Sequence, residues 1–408
     1  MGRKETAGQG SRGPMVRSTL DIHPERRETG DHIRYEFLLR YDGIAAREEL
    51  LFYEFSRDNA PSPVDNYDGV LCAVLLHAMA QGRDIRLHGP ATSTALLNLD
   101  ELQLAWCRWL PQRYRPVGIE VDTIINSFPR PTLRTICAFS GGVDSTFTLL
   151  HAKARTVEPR YAVDTVLLVH GFDVFLSNDG ALRELIGRTS AVREAAGVQL
   201  RVVRTNSKEL RLQKWEHSHG LELAACLHLF SADFSNAMIA SSKPYDALVL
   251  PYGSNPVTDH LLSGGSLRIV HDGAAFSRMD KIAFLMKEPA ALRSLKVCWE
   301  GEHQGRNCGI CEKCVRTRLN FMALGMSNPP CFDTPLDLQR IPNMWIDNDA
   351  TLAEIKSILD YVRSRNMEAA WVQLLRDRFQ KGKNTVDWRK KLSLALSRLG
   401  LLGLTKTT

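Results

Sequence analysis

The pattern with the clearest chemistry is Cys-Ala-Phe-Ser-Gly-Gly-Val-Asp-Ser at residues 137–145. An apolar run over residues 133–139 predicts a buried strand, and residues 146–154 continue as an amphipathic helix. Two glycines let the backbone approach an anion closely, and the first turn of a helix presents free N–H groups. Asp144 and Ser145 add a carboxylate and a hydroxyl to that turn. These features predict a phosphate site, and an ordinary strand-to-helix turn is the simpler alternative.

A second group of reactive residues, Cys298, Cys308, Cys311 and Cys314, has the spacing Cys-x9-Cys-x2-Cys-x2-Cys. Four thiolates are a common ligand set for tetrahedral zinc. The first 15 residues are polar and lack the apolar segment of a secretory signal, so we expect a cytoplasmic chain with reduced thiols. Zn²⁺ is therefore the expected metal, and an iron–sulfur cluster is the alternative with the same ligands.

The sequence Ser-Gly-Gly-Val-Asp-Ser at residues 140–145 resembles the S-G-G-x-D-S loop of the ATP pyrophosphatase (PP-loop) superfamily. Those enzymes split ATP between its α- and β-phosphates, place AMP on a substrate oxygen and release pyrophosphate. The segment lacks the G-x-x-x-x-G-K-S/T pattern of loops that serve γ-phosphate transfer. Val143 stands where sulfonucleotide reductases and several tRNA thiolases tend to carry lysine, which favours the amide- and nitrile-forming members.

Together with the four cysteines, the loop resembles the 7-cyano-7-deazaguanine synthase family of queuosine biosynthesis over residues 132–324. The first gap between the cysteines is one residue longer here than in that family, whose members lack the flanking regions. We therefore expect a synthase-like relative that activates a carboxylate or amide oxygen, with a 7-deazaguanine-type substrate favoured. Relatives of this kind occur beside antiphage defence and biosynthetic gene sets, so the acceptor stays open.

The resemblance implies ATP and Mg²⁺ as cofactors, with Asp144, Ser145 and Lys281 in catalysis and Asp144 as the first candidate to orient Mg²⁺. The implied nucleotide-binding residues are Phe139, Ser140, Gly141, Gly142, Val143, Asp144, Ser145, Thr146, His170 and Gly253. An RNA-thiolating enzyme that uses Cys311 or Cys314 is an alternative, and a non-catalytic nucleotide-binding subunit is another.

Beyond residue 131, apolar strands alternate with helices, which predicts an α/β fold with a doubly wound parallel sheet. The resemblance implies the adenine nucleotide α-hydrolase type. Strands are predicted at 165–170, 199–205, 247–250 and 269–270, and a long helix at 221–239. Because ligands bind at the carboxyl ends of parallel strands, the expected substrate-binding residues follow them: Asp173, Asn206, Tyr252, Ser254, Asp259, Asp272 and Arg278.

Trp215 and Glu216 join these candidates as part of a segment between a strand and a helix. One interpretation is a loop that closes over the substrate, with Trp215 stacking on a flat base. The alternative is a plain loop that leads into the helix. Arg316 and Arg318 follow the cysteines and are predicted either to contact phosphate or to form a solvated helix face.

Four regions are predicted along the chain: a disordered segment at 1–15, an α+β domain at 16–130, the loop-bearing domain at 131–325 and a helical region at 326–408. The elements expected in the α+β domain lie at 35–41, 48–55, 65–79, 85–87, 91–110 and 117–122. A docking surface for a partner is the alternative use of that domain. The helical region is expected to support the fold or to build a homodimer.

The composition is that of an ordinary globular protein, with 44% hydrophobic and 24% charged residues. No apolar run approaches the ~18 residues of a membrane span, so no membrane partner is expected. A net charge of +6 over 408 residues would help to attract an anion such as ATP and does not by itself indicate nucleic acid. The expected partner is a small-molecule substrate, and a co-encoded protein acceptor is the alternative.

Overall fold

The computed structural model describes residues 18–43, 46–126, 134–155, 161–300, 304–346 and 348–398 of the 408-residue chain. The segment predicted to be disordered, 1–15, lies outside the described residues, and so does the predicted boundary at residue 130. Among the described residues, no helix combines the length and apolarity needed to cross a membrane.

The described residues form ten strands and twelve α-helices. The strands are β1 (Thr19–Thr29), β2 (His32–Tyr41), β3 (Arg47–Ser56), β4 (Asp84–Thr92), β5 (Ile119–Ile125), β6 (Arg134–Ala138), β7 (Ala162–His170), β8 (Gln199–Thr205), β9 (Asn236–Ala240) and β10 (Arg268–Asp272). The helices are α1 (Asp68–Gln81), α2 (Ser93–Trp109), α3 (Val143–Ala154), α4 (Asp179–Arg188), α5 (Ser190–Ala196), α6 (Ser207–Leu210), α7 (Trp215–His228), α8 (Arg278–Leu285), α9 (Pro289–Ser294), α10 (Glu312–Ala323), α11 (Asp349–Ser364) and α12 (Ala370–Arg398).

One ten-stranded sheet has the order β10-β9-β6-β7-β8-β3-β2-β1-β4-β5. The first five strands of that order are parallel to one another, and so are β1, β4 and β5. β1, β2 and β3 pair antiparallel. The predicted α/β class is confirmed, with a large and mostly parallel central sheet. Numbered from β6, the parallel half has the order 3-2-1-4-5, which is common in doubly wound nucleotide-binding sheets.

The N-terminal segment is joined to the loop-bearing segment through the sheet and through the core. β3 pairs antiparallel with β8 at Tyr53 and Thr205. One hydrophobic core contains residues of both segments, from Leu20 to Ile269. The helices α1 and α7 lie so close that a Cβ on Gly69 would come within 2.9 Å of the Ala225 carbonyl oxygen. The division into two domains stays a prediction, while sheet and core are continuous across it.

Two predicted elements are wrong. The long helix at 221–239 is replaced by α7, which ends at His228, and by β9 in the middle of the parallel half. A buried parallel strand and a buried helix both appear as continuous apolar runs, so periodicity could not separate them. The strand at 247–250 is absent, and a short 3₁₀ helix, Tyr245–Ala247, lies there instead. The carboxyl end of β9 therefore leads to Ser241 and Ser242.

The C-terminal helices pack on the loop-bearing segment through a separate hydrophobic core. Ile355, Ile358 and Val362 of α11 are buried there with Leu319 of α10 and Val372 of α12. The buried residues of α11 follow helical spacing. The helix α12 is continuous from Ala370 to Arg398.

Candidate functional site

A cavity of about 310 Å³ lies at the carboxyl ends of β6, β7 and β9. From β6 the chain passes to β7 on one side, and after β8 it returns to β9 on the other side. This is the topological switch point, where open α/β sheets bind ligands. The volume lies in the range of about 300–1,000 Å³ that is typical of small-molecule sites.

The 140–145 loop forms one wall of the cavity, between the end of β6 and the start of α3. Gly141 has φ +73°, and a Cβ there would come within 2.9 Å of Cγ2 of Thr189, so only glycine fits. Gly142 is the N-cap of α3, and no side chain caps this helix. The first N–H groups of α3 are therefore available to an anion.

Hydroxyl groups and one neighbouring backbone group fix the shape of the loop. Ser145 Oγ accepts a hydrogen bond from the backbone N–H of Ser140 at 3.2 Å and lies 3.3 Å from Ser140 Oγ. The backbone N–H of Lys296 donates to the carbonyl oxygen of Gly141 at 2.8 Å. Val143 and Thr146 turn their side chains into the protein and are almost fully buried, so they offer only backbone groups.

Asp144 pairs with two cations from the first turns of α8. Its oxygens accept from Lys281 Nζ at 3.0 Å and from Arg278 Nη1 at 3.1 Å. Burial raises the pKa of Asp144, but Lys281 and Arg278 outweigh it and lower the pKa to about 2. Lys281 is only 1% exposed and also donates to the carbonyl of Ser241. Ser277 caps the N-terminus of α8 and thereby fixes the positions of Arg278 and Lys281 on the helix.

A second layer of paired charges lies behind α8. Arg316 of α10 donates to Glu312 at 2.6 Å and pairs with Glu354 of α11. Lys243, which follows β9, also pairs with Glu354. Arg316 is buried, so it forms no solvated helix face. Arg318 is buried as well, and its guanidinium lies 4.2 Å from the centre of a phenylalanine ring rather than in solvent.

Two lysines on the opposite side of the loop line the cavity, Lys296 and Lys313. Lys296 is 4% exposed, and its Nζ has no hydrogen-bond partner among the described residues. Burial lowers the pKa of Lys296 and the charge of Lys313 lowers it further, whereas Asp173, Cys298 and Cys314 act in the opposite direction. The sequence did not single out either lysine.

Aromatic side chains form another part of the cavity lining. The Trp215 ring packs edge-on against Phe172 at 4.9 Å between centroids, and His219 packs against Tyr252 at 4.7 Å. Trp215 and Glu216 lie in the first turn of α7, so the interpretation of this segment as a closing loop is wrong. The predicted residues that line the cavity are Phe139, Ser140, Asp144, Ser145, Asp173, Trp215, Glu216, Tyr252 and Ser254.

Three predicted residues hold the neighbouring backbone and lie outside the cavity lining. Asn206 forms two hydrogen bonds with the backbone of β3. Its Oδ1 accepts from Phe52 N–H at 3.0 Å, and its Nδ2 donates to the Leu50 carbonyl at 2.7 Å. Gly253 touches α7, where a Cβ would come within 2.7 Å of a carbonyl oxygen. His170 is fully buried, with Nε2 2.8 Å from the Phe175 carbonyl oxygen.

Two predicted carboxylates also lie outside the lining. Asp259 is fully buried and accepts from Ser254 Oγ at 2.7 Å and from Asn255 N–H at 2.9 Å, so it positions a cavity residue from behind. Asp272 pairs with Arg155 at 2.8 Å. Ser242, which lines the cavity, was missed because β9 was not predicted.

The sulfur atoms of Cys298, Cys308, Cys311 and Cys314 all lie within 4.8 Å of one another. The Sγ atoms of Cys308 and Cys314 are 3.8 Å apart. Tetrahedral bonds of about 2.3 Å to zinc place two sulfur atoms about 3.8 Å apart, so these residues fit a zinc ion. Gly309, with φ +76°, makes the turn between the second and third cysteine. The cluster can therefore hold a metal ion.

Comparisons with protein-family models, with curated proteins and with solved structures found no match.

Proposed function

We propose that this protein is an ATP-dependent enzyme that adenylates a carboxylate or amide oxygen and releases pyrophosphate. The observation that carries the proposal is the placement of the 140–145 loop. It lies at the N-terminus of α3, where no side chain forms a capping hydrogen bond among the described residues, and at the switch point of the sheet. The cavity there also contains a buried lysine without a hydrogen-bond partner in the described part of the chain. The strand order supports a sheet of the adenine nucleotide α-hydrolase type, and the loop sequence supports the PP-loop superfamily.

The proposed chemistry solves a leaving-group problem. Hydroxide leaves a carboxyl carbon poorly, whereas AMP leaves well, so adenylation permits attack by ammonia or another amine. The N–H groups of the loop would hold the β- and γ-phosphates and stabilise the charge that develops on pyrophosphate. Mg²⁺ would share that charge when bound. Both oxygens of Asp144 already pair with cations, which supports a role in positioning Lys281 rather than in holding the metal.

The cavity favours a flat, aromatic acceptor such as a 7-deazaguanine carboxylate. Trp215 and Tyr252 offer ring surfaces, while Asp173 and Glu216 offer acceptors for the N–H groups of a heterocycle. Attack by ammonia on the adenylated carboxylate would give an amide and release AMP. Adenylation of that amide oxygen by a second ATP, followed by loss of AMP and a proton, would give a nitrile, and attack by a protein amine on the adenylated carboxylate would give a conjugate. The acceptor is a small molecule, and a co-encoded protein is the alternative acceptor.

The cysteine cluster is proposed to hold Zn²⁺ in a structural role, because four thiolates leave no open coordination position. A thiolating enzyme would need Cys311 or Cys314 to reach the substrate. Cys314 is fully buried, and none of the four cysteines lines the cavity. These positions argue against a persulfide carrier.

The proposal is tested by pyrophosphate release from Mg·ATP with 7-carboxy-7-deazaguanine, other carboxylates and co-encoded proteins. Gly141→Ala should abolish release because its Cβ has no room and its φ is positive. Gly187→Ala in α4 is the matched control, since a Cβ there meets nothing within 4 Å. If ATP binds and no acceptor ever yields pyrophosphate, the protein is a non-catalytic nucleotide-binding subunit and the proposal is rejected.

A further inference from the structure

The Lys296 ammonium has no partner in the described part of the protein. Lys296 is 4% exposed, and its Nζ has no hydrogen-bond partner among the described residues. Burial of a charge without a partner is unfavourable, and it is tolerated where a ligand supplies the missing opposite charge. Lys296 therefore indicates an anion in the cavity.

The position of Lys296 says which end of the cavity the anion occupies. Its backbone N–H holds the Gly141 carbonyl at 2.8 Å, and a Cβ on Gly141 would be 3.8 Å from Lys296 Cβ. Lys313 lines the same cavity, and its charge acts on both Lys296 and Asp144. Lys296 therefore begins beside the 140–145 loop, and Lys313 lines the same cavity.

Both lysines are attached to the cysteine cluster. Lys296 lies two residues before Cys298, and Lys313 lies between Cys311 and Cys314. The side chain of Asn307, next to Cys308, links this part of the cluster to the segment around Lys296. It accepts from Val297 N–H at 2.7 Å and donates to the Leu295 carbonyl at 2.9 Å. Anything that fixes the four sulfur atoms therefore also fixes where both lysine side chains begin.

We propose that the four-cysteine cluster presents Lys296 and Lys313 as a pair of cations that bind an oxyanion beside the 140–145 loop. The oxyanion is the β- and γ-phosphate end of the nucleotide, an assignment that rests on the proposed function. Two ammonium groups and the N–H groups at a helix N-terminus match the several negative oxygens of a pyrophosphate. The cluster is then a structural part of the phosphate site.

The test measures binding of inorganic pyrophosphate and of AMP by calorimetry, which needs no turnover. Lys296→Met should weaken pyrophosphate at least about tenfold and Lys313→Met about threefold, since charge-assisted hydrogen bonds are lost. AMP should bind as before. Lys356→Met, on the exposed face of α11, is the matched control and should change neither affinity.

Metal removal is the second arm. Chelation, with far-UV circular dichroism confirming that the fold is retained, should lower pyrophosphate affinity to that of the Lys296→Met/Lys313→Met double variant. Unchanged affinity in a folded metal-free sample would reject the role of the cluster. If chelation unfolds the chain, the two lysine variants decide the proposal alone.

Two results would overturn the lysine pair. In one, folded Lys296→Met binds pyrophosphate as tightly as the wild type and contains less metal. That result would show that the lysine balances the charge of the thiolates. In the other, the Lys296→Met variant binds the acceptor carboxylate more weakly and binds pyrophosphate as before. Failure of the proposed function has a different signature: pyrophosphate binds in a lysine-dependent manner and no acceptor is ever adenylated.

Discussion

The 140–145 loop lies between two sets of buried cations that differ in one respect. On the α8 side, Lys281 and Arg278 share the carboxylate of Asp144. On the cysteine side, Lys296 is buried to a similar extent, 4% exposed against 1% for Lys281, and has no partner in the described residues. Burial is thus equal and pairing is not. Pairing is what separates a cation that holds the fold from a cation that is free for a ligand.

The paired side extends into the C-terminal helices. Glu354 of α11 accepts from Lys243 and Arg316, so the helical region adds a second carboxylate to that of Glu312 in α10. Without α11, Arg316 would keep only Glu312 of its own helix. The C-terminal region therefore completes the charge balance behind α8, which fits the supporting role that the sequence suggested.

The largest effect is expected from Arg316→Met. It leaves Glu354 and Glu312 with Lys243 alone in a buried setting, and breaking a buried ion pair of this kind costs about 3–5 kcal/mol. Urea unfolding at pH 7 measures the loss. Arg363→Met, on the exposed face of α11 with a side chain 78% accessible, is the control and should change stability by less than about 0.5 kcal/mol. Equal stability of the two variants would show that the second layer of charges contributes nothing.

An intermediate effect is expected from Asp144→Asn, because it leaves Lys281 and Arg278 without their carboxylate. The folded pKa of about 2 lies below the unfolded value of about 3.9. The carboxylate therefore contributes stability that is fully present above about pH 4 and is lost as the pH falls through 2. At pH 7 the loss should be about 2–3 kcal/mol, from 1.36 kcal/mol per pKa unit.

The pH dependence distinguishes this pairing from simple packing. The difference in unfolding free energy between the wild type and Asp144→Asn should shrink by about half at pH 3 and vanish near pH 1. Asp360→Asn on the surface of α11 is the matched control, with a side chain 44% exposed. A difference that is the same at pH 7 and pH 3 would contradict the ion pair as its source.

The parts of the site that a local pattern determines were predictable. The glycines, the start of α3 and the four cysteines each follow from neighbours in the sequence, as does the start of α8 at Arg278. Asn206 shows the limit of such reasoning. It follows a strand as a ligand would, but its amide is taken by β3, and that pairing depends on a segment about 150 residues earlier in the chain.

Lys296 and Lys313 were missed for the same reason. No local sequence pattern predicts that a lysine beside a cysteine will approach a glycine of a distant loop. Lysine is usually a surface residue. The feature of the sequence that could have identified them is that both lie within two residues of a predicted metal ligand. A metal fixes the backbone of residues near its ligands, and a fixed lysine can be buried towards a cavity.

The smallest effect on stability, and one of opposite sign, is expected from Lys296→Met. Methionine has a similar length and carries no charge, so the substitution removes a buried ammonium that has no hydrogen-bond partner among the described residues. Unfolding free energy without ligand should stay the same or rise by about 1 kcal/mol. The same Lys→Met change at Lys281 leaves Asp144 short of a cation and should lower stability. A matched fall for both variants would mean that Lys296 is paired in solution, and the contrast between the two sides of the loop would fail.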